Sequence, residues 1–181
     1  MEFLRRLVGR RSAAPEEQEW PLPGPITTWP VGETFNSKFP VVQFLPKDQA
    51  TVEVSGESDC QGTLELIAGG RTSNGPRKPY HIAILLPEPW NSDNPDAVRV
   101  VIIPTKRGRP WGKVGYLSRE DGVRYRPVID RVASIGKVTA CQASLTGGWD
   151  RGPEDRQDFA VTLHLDMPAK LMLVLDKELQ A

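Results

Sequence analysis

Polar and apolar positions fall into a regular order from about residue 51 onward. Val52 and Val54 alternate with Glu53 and run into Gly56. Period-two alternation continues at 137–145 and again at 159–165, where Phe159, Val161, Leu163 and Leu165 recur on one side. Apolar segments at 81–86, 97–103 and 113–117 read as further strands. Leu64, Ile67 and Ala68 have helical spacing, and Gly69-Gly70 stops that helical turn. One longer helix is predicted between the third and fourth of the last five strands. Ser118 and Asp121 form its capping box, Tyr125, Ile129 and Val132 its apolar face, and Gly136 its end. Pro127 is expected to break or restart it, because its ring clashes with the carbonyl four residues back. About six short strands, one main helix and a short helical turn predict a mainly β, α+β chain. The compact solution is a barrel with a helical element closing one side.

The flanks follow other rules. Pro15, Pro21, Pro23, Pro25 and Pro30 remove backbone donors from residues 13–30 and make that stretch an extended linker. Residues 31–50 carry Phe35, Phe39, Val41, Val42, Phe44 and Leu45, enough apolar surface to pack as an irregular strand along the main domain. At the other end, Leu171 to Leu175 is apolar throughout, and period alone does not separate strand from helix. The expected organisation is a basic segment and linker at 1–30, an extended segment at 31–50, the regular domain at 51–168, and a strand or helix at 169–181. Uninterrupted apolar runs reach only about five residues, far short of the roughly 20 of a membrane helix. The apolar run at the N-terminus is too short for a secretory signal, so a cytoplasmic location is expected.

Charge changes the picture locally. Lys+Arg and Asp+Glu are 23 each, a formal net charge of zero, which excludes a chain that is basic throughout. Residues 99–137 nevertheless hold ten basic side chains against Glu120, Asp121 and Asp130. A segment this basic is the local footprint of phosphate binding, and Trp111 and Tyr116 within it offer stacking surfaces. The competing reading is that these cations solvate a strand–helix unit and pair with acids elsewhere. Arg5, Arg6, Arg10 and Arg11 around Phe3, Leu4, Leu7 and Val8 suggest a weak membrane-surface or nucleic-acid arm or, more simply, a solvated terminus.

Other chemistry is sparse. Cys60, Cys141, His81 and His164 include no close pair of the kind zinc sites use. The glycine-rich stretches 69–75 and 146–152 lack the ending of a phosphate loop. Gly147-Gly148 is expected to turn a hairpin with Trp149 and Arg151 at its tip. There is no nucleophile elbow, so neither catalysis nor a cofactor is expected.

Two blocks carry a resemblance. Residues 87–100 read Pro-Glu-Pro-Trp-Asn-Ser-Asp-Asn-Pro-Asp-Ala-Val-Arg-Val, and residues 112–120 read Gly-Lys-Val-Gly-Tyr-Leu-Ser-Arg-Glu. Together with 68–72, 125–128 and 146–152, these resemble the HIRAN domain family, in particular its stand-alone bacterial members, over about residues 51–168. The family shows an Asn-Pro-Tyr-Asp-x-Asn-Ala-Val block before a strand and a Val-Gly-Tyr/His-Leu block entering a helix. The resemblance implies an OB-like β-barrel that, in fork-remodelling helicase relatives, captures the 3′ end of single-stranded DNA. Asn91 matches the first asparagine of the family block, while Asp93 stands in the tyrosine position and Asn94 in the aspartate position. Tyr116 falls on a ligand-facing position, and Arg119 on an expected basic one. Ser58, Asp59 and Cys60 occupy positions where the DNA-binding relatives carry arginine and aromatics, so the scaffold matches better than the pocket.

The leading expectation is a nucleic-acid-binding module, with DNA ahead of RNA as partner, contacting it through Asn91, Asn94, Lys113, Tyr116, Arg119, Arg124, Trp149 and Arg151. The alternative is a protein-interaction or structural domain that has lost the DNA-end pocket.

Overall fold

The structure is a computed structural model that describes residues 41–44, 51–76, 80–103, 111–134 and 137–179. Seven strands form one sheet: β1 (Val41–Phe44), β2 (Thr51–Ser55), β3 (Tyr80–Pro87), β4 (Val98–Ile103), β5 (Gly112–Leu117), β6 (Val138–Gly147) and β7 (Phe159–His164). Their order is β1-β6-β3-β4-β5-β2-β7, and β6 also pairs with β7, which closes six antiparallel strands into a barrel. Strand β6 is long enough to serve two neighbours along one edge. Its first half pairs in parallel with β1, Val41 opposite Val138, and its second half pairs with β7, Gly147 opposite Phe159. The expected OB-like barrel is therefore present, and β1 joins it from outside the closed ring.

The period-two pattern sorts residues between the two sides of the wall. Val52, Val54, Ala83, Leu85, Val98, Val100, Ile102, Cys141, Ala143, Leu145, Val161 and Leu163 point inward into one buried core. Helix α1 (Gln61–Ala68), entered through a 3-10 turn at Glu57–Cys60, fills one mouth with Leu64 and Ile67. Gln61 fixes it there. Its Nε2 donates to the Phe159 carbonyl at 2.9 Å, and its Oε1 accepts from the Phe159 amide at 2.8 Å. Gly69 ends α1 in the left-handed conformation, as the sequence predicts.

Helix α2 (Arg119–Ser134) fills the opposite mouth with Tyr125, Val128, Ile129 and Val132. The Ser118 hydroxyl accepts from the Asp121 amide at 3.0 Å, which is the predicted cap. Pro127 does not break this helix. The buried face continues on both sides of the proline, so packing outweighs the lost hydrogen bond. The residue whose carbonyl loses its partner, Val123, is exposed to water. Helix α3 (Pro168–Leu179) settles the C-terminal alternative in favour of helix. Pro168 suits a first helical turn, and Leu171 and Leu175, one turn apart, are both buried in the core. A barrel with both mouths filled by side chains leaves its outer wall and rims as the places where a ligand can sit.

Candidate nucleic-acid interface

A bulge sets the wall at Tyr116. The β4–β5 register shifts between Val100 and Val101, opposite Gly115. Gly115 has φ +148°, and a Cβ there would collide with the Ser55 carbonyl oxygen. The extra residue inverts the parity of β5. Val114 and Leu117 both point into the core, and Tyr116 points out, in register with Ser55 of β2 and Arg99 of β4. Lys113, also on the outside, holds its ammonium 4.4 Å from the centre of the Tyr116 ring. Cys60, at the end of the 3-10 turn, feels the Lys113 charge, but burial is the larger effect and pushes its thiol pKa up.

The row continues into the loop between β3 and β4. The Arg99 guanidinium pairs with Glu88, whose carboxylate is buried, and Asn91 Nδ2 donates to the same carboxylate at 3.5 Å. Asn91 Oδ1 accepts from the amides of Asp93 and Asn94, and Asn94 Oδ1 accepts from the Asp96 amide. Both asparagines thus hold the loop in shape through side-chain turns. The loop is pinned to α2 in two ways. Arg126 Nη1 donates to the Pro95 carbonyl at 2.8 Å. Gly122 presses so close that a Cβ would lie 2.8 Å from the Asp96 carbonyl oxygen. Arg119 stands exposed at the start of α2.

Trp149 and Arg151 lie elsewhere. The glycine pair does not turn a two-residue hairpin. Gly147 still pairs with Phe159, and the chain leaves for an excursion over 148–158 at the α1 mouth. Its own turn is at 151–155, where the Arg151 amide bonds the Asp155 carbonyl and the Asp155 amide bonds the Gly152 carbonyl. Trp149 bridges to Thr72, donates its indole N–H to Asp155 at 3.0 Å, and carries the Arg151 guanidinium 5.4 Å from its ring centre. Arg71, missed as a functional candidate, anchors this corner. It pairs with Glu65 and Asp158, donates to the Gln157 carbonyl at 2.6 Å, and covers the Phe159 ring. The structure therefore groups Asn91, Asn94 and Arg119 near the α2 mouth and places Lys113 and Tyr116 on the wall. It sets Trp149 and Arg151 at the opposite mouth.

The basic segment is only partly free. Lys106, Arg107 and Arg109 lie outside the described residues. Of the seven described cations in 99–137, four are paired: Arg99 with Glu88, Arg124 with Asp121 at 3.5 Å, Arg126 with Asp130 at 2.7 Å, and Arg131 with Asp176 at 3.7 Å. Arg124 also reaches the Met167 sulfur, and the partner of Arg131 lies on α3. Among the described residues, Lys113, Arg119 and Lys137 have no carboxylate partner.

Metal and nucleophile chemistry finds little footing. His81 lies buried on the inner side of β3 and Cys141 inside the barrel, whereas His164 is on the outer wall, its Nε2 3.0 Å from the Ser144 hydroxyl. Among the described residues, no three His, Cys, Asp or Glu side chains converge on a metal site. No helix among them is long and apolar enough to cross a membrane. Comparison of the chain with protein-family models, curated proteins and solved structures finds no match.

Proposed function

We propose that this chain is a nucleic-acid-binding module without catalysis of its own, acting in the cytoplasm on single-stranded or end-containing DNA, and that it is a divergent relative of the HIRAN domains. One observation carries the reading: Tyr116, turned outward by the bulge at Gly115, stands on the barrel wall with the Lys113 ammonium over its ring. A partly exposed aromatic beside a cation with no carboxylate partner among the described residues can stack one base and hold the adjoining phosphate, a pairing that sequence-tolerant single-strand binders use. Arg119, exposed at the start of α2, extends the cationic track. Asn91 and Asn94 enter this reading as the residues that shape the neighbouring loop, with the Asn94 amide group as its polar contact. Trp149 and Arg151 form a second, separate stacking point at the far mouth.

The test is a salt-series titration of the full chain against single-stranded, duplex and 3′-blocked oligonucleotides. The reading expects affinity for the single strand to fall steeply as salt rises. Absent or salt-independent binding would reject it. A second reading, a protein-interaction domain, is favoured by a different observation: four of the seven described cations already have carboxylate partners. It expects a nuclease-resistant protein partner in place of DNA.

A further inference from the structure

A second aromatic group stands on the outer wall, where β3, β6 and β7 meet. Ala83, Leu85, Ala143, Leu145 and Leu163 point into the core, so the alternate positions Tyr80, Gln142, Ser144, Thr162 and His164 point out. Register gathers them. Tyr80 lies opposite Ser144, Ser144 opposite Thr162, and Gln142 opposite His164. The Ser144 hydroxyl meets His164 Nε2 at 3.0 Å and fixes the imidazole. That ring in turn lies 6.2 Å from the exposed Tyr80 ring, inclined at 55°. The aromatic pair is thus held in place before any ligand arrives, which reduces the ordering cost of binding. Gln142 brings an amide with no hydrogen-bond partner among the described residues directly beside the imidazole.

We propose that Tyr80, His164 and Gln142 form a base-reading subsite for the same single strand that meets Tyr116, with adenine as its preferred base. The inference rests on the single-strand reading above and adds a base preference to it. Charge separates the two sites. Strands β2, β3, β6 and β7 contain no lysine or arginine, and their one carboxylate, Glu53, lies opposite Thr162 on the outer side. This part of the wall cannot grip phosphate. What it offers is a ring for stacking and an amide for a base edge, which is how splayed bases of single strands are read. A glutamine amide donates and accepts side by side and so matches the N6 and N7 groups of adenine. The two sites are joined through β2, where Ser55 faces Tyr116 and Thr51 faces His164. Two strand spacings across and four residues along put roughly 16 Å between them. One single strand can cover that distance, since a barrel of this kind occupies about 4–16 nucleotides.

The experiment is an anisotropy titration of the full chain with short strands of deoxyadenosine, deoxycytidine or thymidine, each at several salt concentrations. The unaltered protein should prefer the adenine strand. Tyr80→Ala should weaken every strand by roughly five- to 150-fold and leave the salt slope unchanged, and Tyr80→Phe should keep the affinity. Lys113→Ala should instead lower the slope by about 0.7. Gln142→Leu should abolish the adenine preference and leave the thymidine strand unaffected. If Tyr80→Ala lowers Tm, Gln142→Leu decides. Salt-dependent binding without an adenine preference, a preference that survives Gln142→Leu, or full affinity in a folded Tyr80→Ala would overturn this subsite and leave the Tyr116 wall standing. Absence of binding by the unaltered chain would reject the single-strand reading and the subsite with it.

Discussion

The Lys113 ammonium lies 4.4 Å from the centre of the Tyr116 ring, and both side chains stand on the outer wall of the barrel although they are three residues apart on one strand. In a regular strand an odd separation would put them on opposite faces. The bulge at Gly115 removes that conflict and converts an inward tyrosine into an outward one.

Tyr116 is the stacking surface on which the proposed function depends. Tyr116→Ala should weaken single-strand binding by about 1–3 kcal/mol, roughly five- to 150-fold. Tyr116→Trp should retain it. Anisotropy titrations read the effect, and unchanged thermal unfolding in both variants separates it from damage to the barrel.

Arg119 and Arg124 should not behave alike. Arg119 is unpaired among the described residues, whereas Arg124 is held by Asp121 at 3.5 Å and sits beside Met167. Arg119→Ala should reduce the slope of log affinity against log salt by about 0.7, the contribution of one phosphate contact on a single strand. Arg124→Ala should leave the slope nearly unchanged, and the double variant should match Arg119→Ala. Equal effects of the two single variants would show that the contact surface extends toward α3.

Glu88 tests the loop. Its carboxylate is buried and paired with Arg99 and Asn91. Glu88→Gln strands a guanidinium that is only 23% exposed. It should cost about 3 kcal/mol and lower Tm by on the order of 10 °C. Calorimetry checks this. A Tm shift within a degree or two would show that water or another residue already serves Arg99.

Cys141 gives a pH signature. Burial inside the barrel raises its thiol pKa far above the ordinary value of 9.0. An acid raised in the folded state stays protonated there while the unfolded chain ionises. Its contribution is therefore complete below pH 9 and is lost progressively as pH climbs above it, by up to about 1.4 kcal/mol per pH unit. Denaturant midpoints measured from pH 8 upward should decline, and the decline should flatten in Cys141→Ala. Native alkylation should modify the half-exposed Cys60 first and spare Cys141.

The wall strands were legible in the sequence because period two survives wherever one face is buried, as at Val52–Val54 and Phe159–Leu163. Gly69 and the Ser118–Asp121 cap were legible for local reasons of the same kind. What escaped depends on partners distant in the chain. The outward turn of Tyr116 needs the shifted register with Val100, which no pattern within β5 alone reveals. A count of charges over 99–137 does not see Asp176 meeting Arg131, or Glu88 meeting Arg99. Pro127 reads as a helix breaker until Tyr125, Val128 and Ile129 are seen packing on both sides of it. Trp149 looks like the tip of a hairpin until Arg71 and Thr72 are seen holding the excursion against α1.

The central claim is that nucleic acid meets this protein on the wall at Tyr116. The most direct measurement is photocrosslinking of the full chain to a bromouracil-substituted single strand, followed by mass spectrometry of the linked peptides. The account predicts linkage concentrated in the peptide spanning 114–119 and lost on competition with unlabelled single strand. Linkage confined to residues 149–156, or to the segment before residue 41, would contradict it.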